Sequence, residues 1–330
     1  MRRGPCFLCY TWSRRSPAEA GAVAAAIATL VTTLVLFLAV PASAQIQPVD
    51  APGTSATVST NVWWSFGGSK WEHDFLGILG SKLDWKDVES PVVMATGDFA
   101  WRYLVLSAGV GWGQVIDGTL IDEDSILGSV FSRTASDVPD GNIFLFNADV
   151  GLRPLRWRDS QGRLGFIDVL VGYQFWREEY EAFGAVPSIG PISLPSNVKA
   201  ITHEWKWQSM RVGGRFDVPT WRNLNFRVSA FFLPWSSLEV RDTHHQREDL
   251  AQNPSVISTA KGGFGYQVDT SLTYTFFHGL AVEAGFRYWK VDMHDGHVKF
   301  RFSDGTVLGA DLVEASTKRY GPYFGLTYRF

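Results

Sequence analysis

Two acidic patches far apart in the chain, Asp122-Glu123-Asp124 and Asp242-Thr243-His244, place ionisable groups at i, i+2 spacing. In an extended chain alternate residues share a face, so each pair aims both members the same way, and facing strands would bring four groups onto one water. A neutral His whose imidazole is held by a carboxylate takes a proton from water, the orienting arrangement of dyads and triads. Asp242 and His244 suit that role. Two carboxylates at short range cannot both ionise freely, so one keeps a proton and can hold a water or donate to a substrate carbonyl. Asp122 and Asp124 suit this second role. The combination fits amide hydrolysis by direct attack of water, without a covalent intermediate. Taken singly, either pair is also what solvated turns and strand ends carry, so the elements that position them decide.

Compartment is set by the opening residues. Arg2, Arg3, Arg14 and Arg15 make a basic start, Ala20 to Val40 is almost wholly apolar, and Pro41-Ala42-Ser43-Ala44 has the small-residue form of a cleavage site. Residues 1–44 therefore read as a secretory signal peptide and 45–330 as one domain; a retained membrane helix is the competing reading, since the apolar run is about long enough to span a bilayer. Both cysteines, Cys6 and Cys9, lie in this segment, which excludes a disulfide framework from the remainder. Removing its four Arg and one Glu from 30 basic and 33 acidic residues leaves 26 and 32, a net charge of −6 that argues against a nucleic-acid partner.

The rest of the chain reads as strands. Phe264, Tyr266, Val268, Thr270, Leu272, Tyr274 and Phe276 alternate with small or polar residues, as do Leu280 to Tyr288, Phe144 to Val150 and the last strand, Pro322 to Phe330. One face suits hydrocarbon and the other a polar interior. Ten such runs can be counted: 55–73, 80–100, 103–118, 141–157, 163–183, 199–218, 224–247, 259–277, 280–302 and 313–330. Short joints (Trp101-Arg102, 158–161, 219–223, His278-Gly279) alternate with long ones (119–140, 184–198, 248–258, 303–312), the pattern of periplasmic turns and outer loops. The expected fold is all-β: a ten-stranded antiparallel transmembrane β-barrel in the bacterial outer membrane. Runs of about 18 residues exceed the roughly 9 to 11 needed to cross hydrocarbon, so the barrel should project well above the membrane. Fourteen tryptophans and ten tyrosines suit aromatic girdles at the two interfaces. A soluble sandwich is the competing architecture, but it would bury the face richest in Phe and Tyr.

Four blocks in register carry a family resemblance. Ser81-Lys82-Leu83-Asp84-Trp85-Lys86, Leu120-Ile121-Asp122-Glu123-Asp124, Gly172-Tyr173-Gln174 followed by Arg177, and Trp235 to His244 resemble, in order, segments of the omptins, ten-stranded outer-membrane proteases. The resemblance implies an aspartic-type endopeptidase acting on extracellular polypeptides, with Asp122, Asp124, Asp242 and His244 catalytic. It also implies a substrate groove in which two acids accept a basic side chain. Glu72 falls at one of these positions, while Val240 falls at the other and carries no charge. A missing carboxylate should weaken discrimination for Arg or Lys by on the order of 1 to 3 kcal/mol. Dependence on lipopolysaccharide as an activator is implied too, with Tyr173 and Arg177 as its contacts; Phe175 stands where an acid is expected between them. Tyr173 as an ordinary girdle residue and Arg177 as a strand-top charge is the bland alternative.

Parity tests the site. Asp242 and His244 share even numbering with Phe226, Val228, Ala230 and Phe232, which alternation assigns to the lipid face. The dyad faces inward only if the register shifts between Leu233 and Ser237, and Pro234 is the natural place for a bulge. Among the other histidines, His294-Asp295-Gly296-His297 has a poor spacing for a metal on one strand face, and its Asp-Gly suggests a turn. His245 reads as a neighbour of the dyad and His73 as a surface residue within reach of the groove. No cofactor or metal is expected, and a monomer is. A catalytically silent barrel, acting as an adhesin or small porin, is the alternative function, and a lipid-modifying barrel enzyme a third.

Overall fold

The structure is a computed structural model that describes residues 53–330, so the expected signal peptide lies outside the described residues. Eleven antiparallel strands form one closed sheet: β1 (Ser55–Phe75), β2 (Ile78–Trp101), β3 (Leu104–Gln114), β4 (Asp117–Ile126), β5 (Ser129–Arg158), β6 (Leu164–Ile189), β7 (Leu194–Pro219), β8 (Leu224–His244), β9 (Val256–Phe277), β10 (Leu280–Arg301) and β11 (Val307–Arg329). β1 pairs with both β2 and β11, which closes the ring. β3 and β4 share one slot, each lying between β2 and β5, so eleven segments occupy ten barrel positions. The expected barrel is present.

Residues 119–140 are the main departure. Where a long loop is expected, β4 and the start of β5 continue the barrel upward and are joined by a two-residue turn at Leu127-Gly128, with φ of 51° and 81°. Leu76-Gly77 joins β1 to β2 in the same way, with φ of 56° and 79°. Two left-handed residues match the twist of a hairpin, but Leu is a poor turn former, which hides both turns in the sequence.

Outward side chains in the half nearest the short turns form an apolar belt that includes Val62, Val93, Leu106, Val110, Val150, Val171, Val212, Phe232, Leu272 and Leu326, all exposed. Tyr266, Tyr288, Tyr320 and Phe66 line up across adjacent strands at its upper edge, with ring centroids 5.7 to 6.4 Å apart. Tryptophan divides differently from expectation. Trp64, Trp101, Trp112, Trp221 and Trp235 are exposed, but Trp63, Trp71, Trp85, Trp176, Trp205, Trp207 and Trp289 are buried inside and fill the cross-section.

Nearer the short turns the interior is ionic. Arg211 lies 2.9 Å from Asp149, Arg215 2.8 Å from Asp98 and Arg287 3.1 Å from Asp269, with a polar cavity of about 100 Å³ among them, and Arg153 lies 2.6 Å from Asp168. Above the cavity, Arg319 donates to Glu178 at 2.9 and 3.2 Å and to the Val88 carbonyl at 2.9 Å, and the Tyr180 hydroxyl donates to the same carboxylate. Breaking such a buried pair leaves one charge uncompensated. Glu178→Gln should lower stability by about 3 to 5 kcal/mol, and joint replacement by Glu178→Leu and Arg319→Met should recover most of it. Urea midpoints of the barrel in detergent, read by the mobility of its folded form on gels, check both.

Candidate active site

Strand alternation fails at one height in most of the ring, and both halves of the site lie just beyond the failure. In β8, Leu233 is inward and Phe232 outward, yet Ser236, Leu238, Val240 and Asp242 are inward. The extra residue lies at Pro234-Trp235: Val212 pairs with Phe232, but Met210 pairs with Trp235. This is the shift that the parity of Asp242 and His244 requires. A second flip separates β3 from β4. Inward positions run odd up to Val115 and even from Gly118, so Leu120 is buried and Asp122 and Asp124 follow it on the inner face.

The four residues meet at the end of the barrel that carries the Leu76-Gly77 and Leu127-Gly128 turns and the 245–255 loop. His244 Nε2 lies 2.9 Å from Asp242 Oδ2. The angle there is poor for a hydrogen bond, and both Asp242 oxygens are buried without a donor. Asp122 lies within electrostatic range of Asp124, His244 and Asp242. On the outer face beside these strands stand Lys82, Glu204, Lys206, Glu239 and Arg241, which puts this level outside the apolar belt.

Burial and charge set the titration. Burial pushes the Asp122 carboxyl up to about 7, with Asp124 acting in the same direction and His244 against it. Asp124 is also raised by burial, although the Ser81 hydroxyl that bonds it holds it back. For His244, burial lowers the pKa, but the adjoining Asp242 carboxylate overrides it and raises the imidazole to about 9. Asp242 is held below the usual range by His244 in spite of its burial. The dyad therefore rests as a carboxylate and an imidazolium. The His244 side chain keeps 24% of its surface exposed against 3% for Asp242, so it is the member that a substrate can touch.

The structure corrects one of the two expected substrate positions, Glu72. Trp71 and His73 occupy the inner face of β1, so Glu72 between them faces outward, where it pairs with Lys70 at 2.9 Å and Lys82 at 3.6 Å. Val240 does face inward, buried opposite Trp205 on β7. Neither position places a carboxylate in the groove. Its floor is aromatic instead, built from Trp71, Trp85 and Trp205.

Tyr173 and Arg177 lie on the outer face of β6. The Tyr173 hydroxyl donates to Gln208 at 3.1 Å, and Arg177 is engaged by Glu179 at 2.9 Å and by Glu204. His245 contacts Thr202 at 2.8 Å and stays outside the dyad. His294 and Asp295 lie inside β10, where Asp295, with φ 59°, marks a bulge and not the expected turn.

Sequence reasoning missed two inward histidines. His73 is 3% exposed, packed on Trp71 and Phe300, rather than on the surface. His203 is fully buried, pairs directly with Asp242 across β7 and β8, and accepts a hydrogen bond from the Trp85 indole at 2.8 Å. Burial holds both near 4, so both are neutral. Register could have found His203. Counting back from the short turn between Pro219 and Asn225 and adding one residue for Pro234 sets Asp242 opposite it.

Comparison with known proteins follows the fold. Residues 72–330 match the sequence profile of the family described as Pom: Protochlamydia outer membrane protein. Among solved structures, the outer membrane protease OmpT from Escherichia coli aligns at a TM-score of 0.70 with 13% identity, covering 84% of this chain and 97% of that one. The translocator domain of the autotransporter NalP from Neisseria meningitidis aligns at 0.33 with 12% identity, covering 95% and 98%. No curated protein sequence matches significantly.

The ion pair makes a direct check available. In Asp242→Asn the His244 imidazole should titrate well below the 9 of the wild type, because burial is then opposed only by the more distant Asp122. Ring proton shifts followed by NMR in detergent micelles measure this, and deleting Pro234, which restores plain alternation, should abolish the raised titration as well.

Proposed function

Since this chain belongs to the family of Protochlamydia outer membrane proteins and is an outer-membrane β-barrel, we propose that it works there as an omptin-like endopeptidase whose active site faces the extracellular side. The observation that carries this reading is the Asp242–His244 pair at 2.9 Å, facing inward within range of Asp122 and Asp124. A water held between His244 and Asp122 would attack the scissile carbonyl. Its proton passes to the imidazole, and the protonated member of the aspartate pair donates to the developing oxyanion. The imidazolium then protonates the leaving amine, and no acyl-enzyme forms. Asp242 stays ionised throughout and stabilises the imidazolium, as an orienting carboxylate does.

One proton shared between Asp122 and His244 defines the active form. Whether it sits on the carboxyl or on the imidazole, the total charge is the same, so both arrangements have the same pH dependence. Below about 7 both groups are protonated, and above about 9 neither is. The profile of kcat/KM should therefore be a bell, falling as pH drops through about 7 and again as it rises through about 9. A profile flat down to pH 5 would exclude the shared proton. Asp122→Ala and His244→Ala should each lower the rate by about 10²- to 10⁴-fold. Cleavage that persists in both variants refutes the assignment, and a wild type that cleaves nothing in a broad peptide library returns the silent barrel.

Substrate choice follows from the groove. With Val240 uncharged and Glu72 turned outward, nothing built on those two positions holds a cation, and the aromatic floor favours apolar or aromatic side chains beside the cleaved bond. Peptides with Arg or Lys there should be cleaved no faster than peptides with neutral residues, measured as kcat/KM over a positional library. Lipopolysaccharide remains part of the proposal as activator, with Tyr173 and Arg177 as contacts on the outer face. A lipid phosphate would have to displace Glu179 and Glu204 from Arg177.

A further inference from the structure

A second polar cavity, of about 40 Å³, lies at the end of the barrel away from the candidate active site. Ser55, Ala100, Leu164 and Arg329 line it and stand at the short-turn ends of β1, β2, β6 and β11. By the roughly 10 to 15 Å³ that one water needs, it has room for about three. Arg153, Arg215, Arg227 and Arg329 line it against one carboxylate, Asp98. Three of these cations are already paired: Arg153 clasps Asp168 at 2.6 and 3.1 Å, Arg215 lies 2.8 Å from Asp98, and Arg227 lies 2.8 Å from Asp217. Arg329 pairs with no carboxylate among the described residues, and the charges in range of it are Asp217, Arg227, Arg153 and Asp98. Arg156 is a second cation of this kind, within range of Arg153. It stands directly opposite Phe166, a residue of the cavity wall that lies 3.5 Å beneath Arg153. Its Nε and Nη2 are buried without an acceptor, although this is the edge with which Arg153 clasps Asp168.

We propose that this mouth of the barrel is a binding site for a phosphate group, and the proposal does not depend on the peptidase reading. Five arginines here face three aspartates, so Arg156 and Arg329 are left over, and a phosphate brings up to two negative charges to neutralise them. Glu283, the other nearby carboxylate, lines the upper cavity, where the Thr327 and Tyr323 hydroxyls donate to it at 3.4 and 3.5 Å. Guanidinium groups match the oxygens of a phosphate in a planar fork, and the Ser55 and Thr57 hydroxyls on the cavity wall add donors of their own. A buried N–H without an acceptor is costly, which is the state of the Arg156 fork until an anion arrives. The surroundings favour that arrival. Although the chain has a net charge of −3, the turns around this mouth expose Arg102, Arg158 and Arg222, and their one carboxylate, Asp159, is taken by Arg163 at 2.6 Å. A concave mouth lined by one sign of charge concentrates ions of the other. The phosphate can be free in solution or carried by the headgroup of a lipid in the leaflet beside the short turns, since Arg329 at the rim is exposed while Arg153 and Arg215 are buried.

Two measurements on the full barrel test this. In the first, inorganic phosphate is titrated into the barrel in a phosphate-free detergent and followed by phosphorus NMR. Saturable binding is expected, weakened about tenfold in Arg329→Gln, the worth of one charge-assisted hydrogen bond, and weakened in the same direction in Arg156→Gln. Neither substitution strands a carboxylate, so both variants should keep the heat-dependent gel mobility of a folded barrel; if Arg329→Gln does not fold, Arg156→Gln carries the test. In the second, native mass spectrometry counts the phosphatidylglycerol molecules that stay on the barrel after release from bilayers of that lipid. Fewer retained lipids in the two variants, with no saturable binding of inorganic phosphate, assigns the site to a lipid headgroup. Binding of inorganic phosphate that responds to the variants, with lipid retention unchanged, assigns it to free phosphate. Phosphate binding and lipid retention that are both absent, or that are both indifferent to Arg156→Gln and Arg329→Gln, overturn the proposal.

Discussion

A β-strand shows its side chains with a period of two, and this barrel depends on breaking that period once in most of its strands. The flip occurs at Lys86-Asp87 in β2, between β3 and β4, at Pro139-Asp140 in β5, at Pro234-Trp235 in β8, at Lys261-Gly262 in β9, at His294-Asp295 in β10 and at Val313 in β11. β1, β6 and β7 keep one phase throughout. The extra residues form two arcs, one over β2 to β5 and one over β8 to β11. Asp122 and Asp124 stand above the first arc, Asp242 and His244 above the second. Each arc turns its half of the site inward, and neither half would face the interior without it.

The interior changes character with height. Arginine–carboxylate pairs fill the part within the apolar belt, where the outer face must be hydrocarbon-like and polar groups are confined to the inside. Above them the tryptophans close the cross-section. Ions held only by each other need desolvated and well-fitted partners, and the Arg319 network, placed between the two zones, meets that need with a carboxylate, a hydroxyl and a backbone carbonyl. The site thus rests on a solid floor. Trp71, Trp85 and Trp205 pack around His203, directly across from Asp242, and limit how far that ring can move.

Much of this was legible in the sequence, and the misses have physical causes. Alternation marked the ten barrel positions, and Pro234 marked one bulge because Pro cannot donate to the ladder. Other flips sit at Lys86-Asp87 and His294-Asp295, where Asp takes a positive φ, a conformation that Asp tolerates but does not announce. With those flips unseen, the inner and outer faces of several strands could not be told apart above the belt. Glu72 illustrates another limit: β1 never flips, so its even residues face outward to the top, whatever a neighbouring motif suggests. His203 was hidden because it belongs to no motif and becomes visible only through the register of its partner strand.

The same account links the two departures of the groove to the titration of the site. Asp122, Asp124 and Asp242 already place three carboxylates around one imidazole in a poorly solvated space, and Asp122 is raised to about 7 as a result. An acid at position 240 and another on the inner face of β1 would add negative charge at close range, which raises every neighbouring pKa further. With Val240 and Trp71 in those places the surrounding wall is neutral. Asp122 can then lose its proton near neutral pH while His244 keeps its own, and the single shared proton survives over about two pH units. An apolar floor and a site that titrates close to neutrality are, in this barrel, consequences of the same residues.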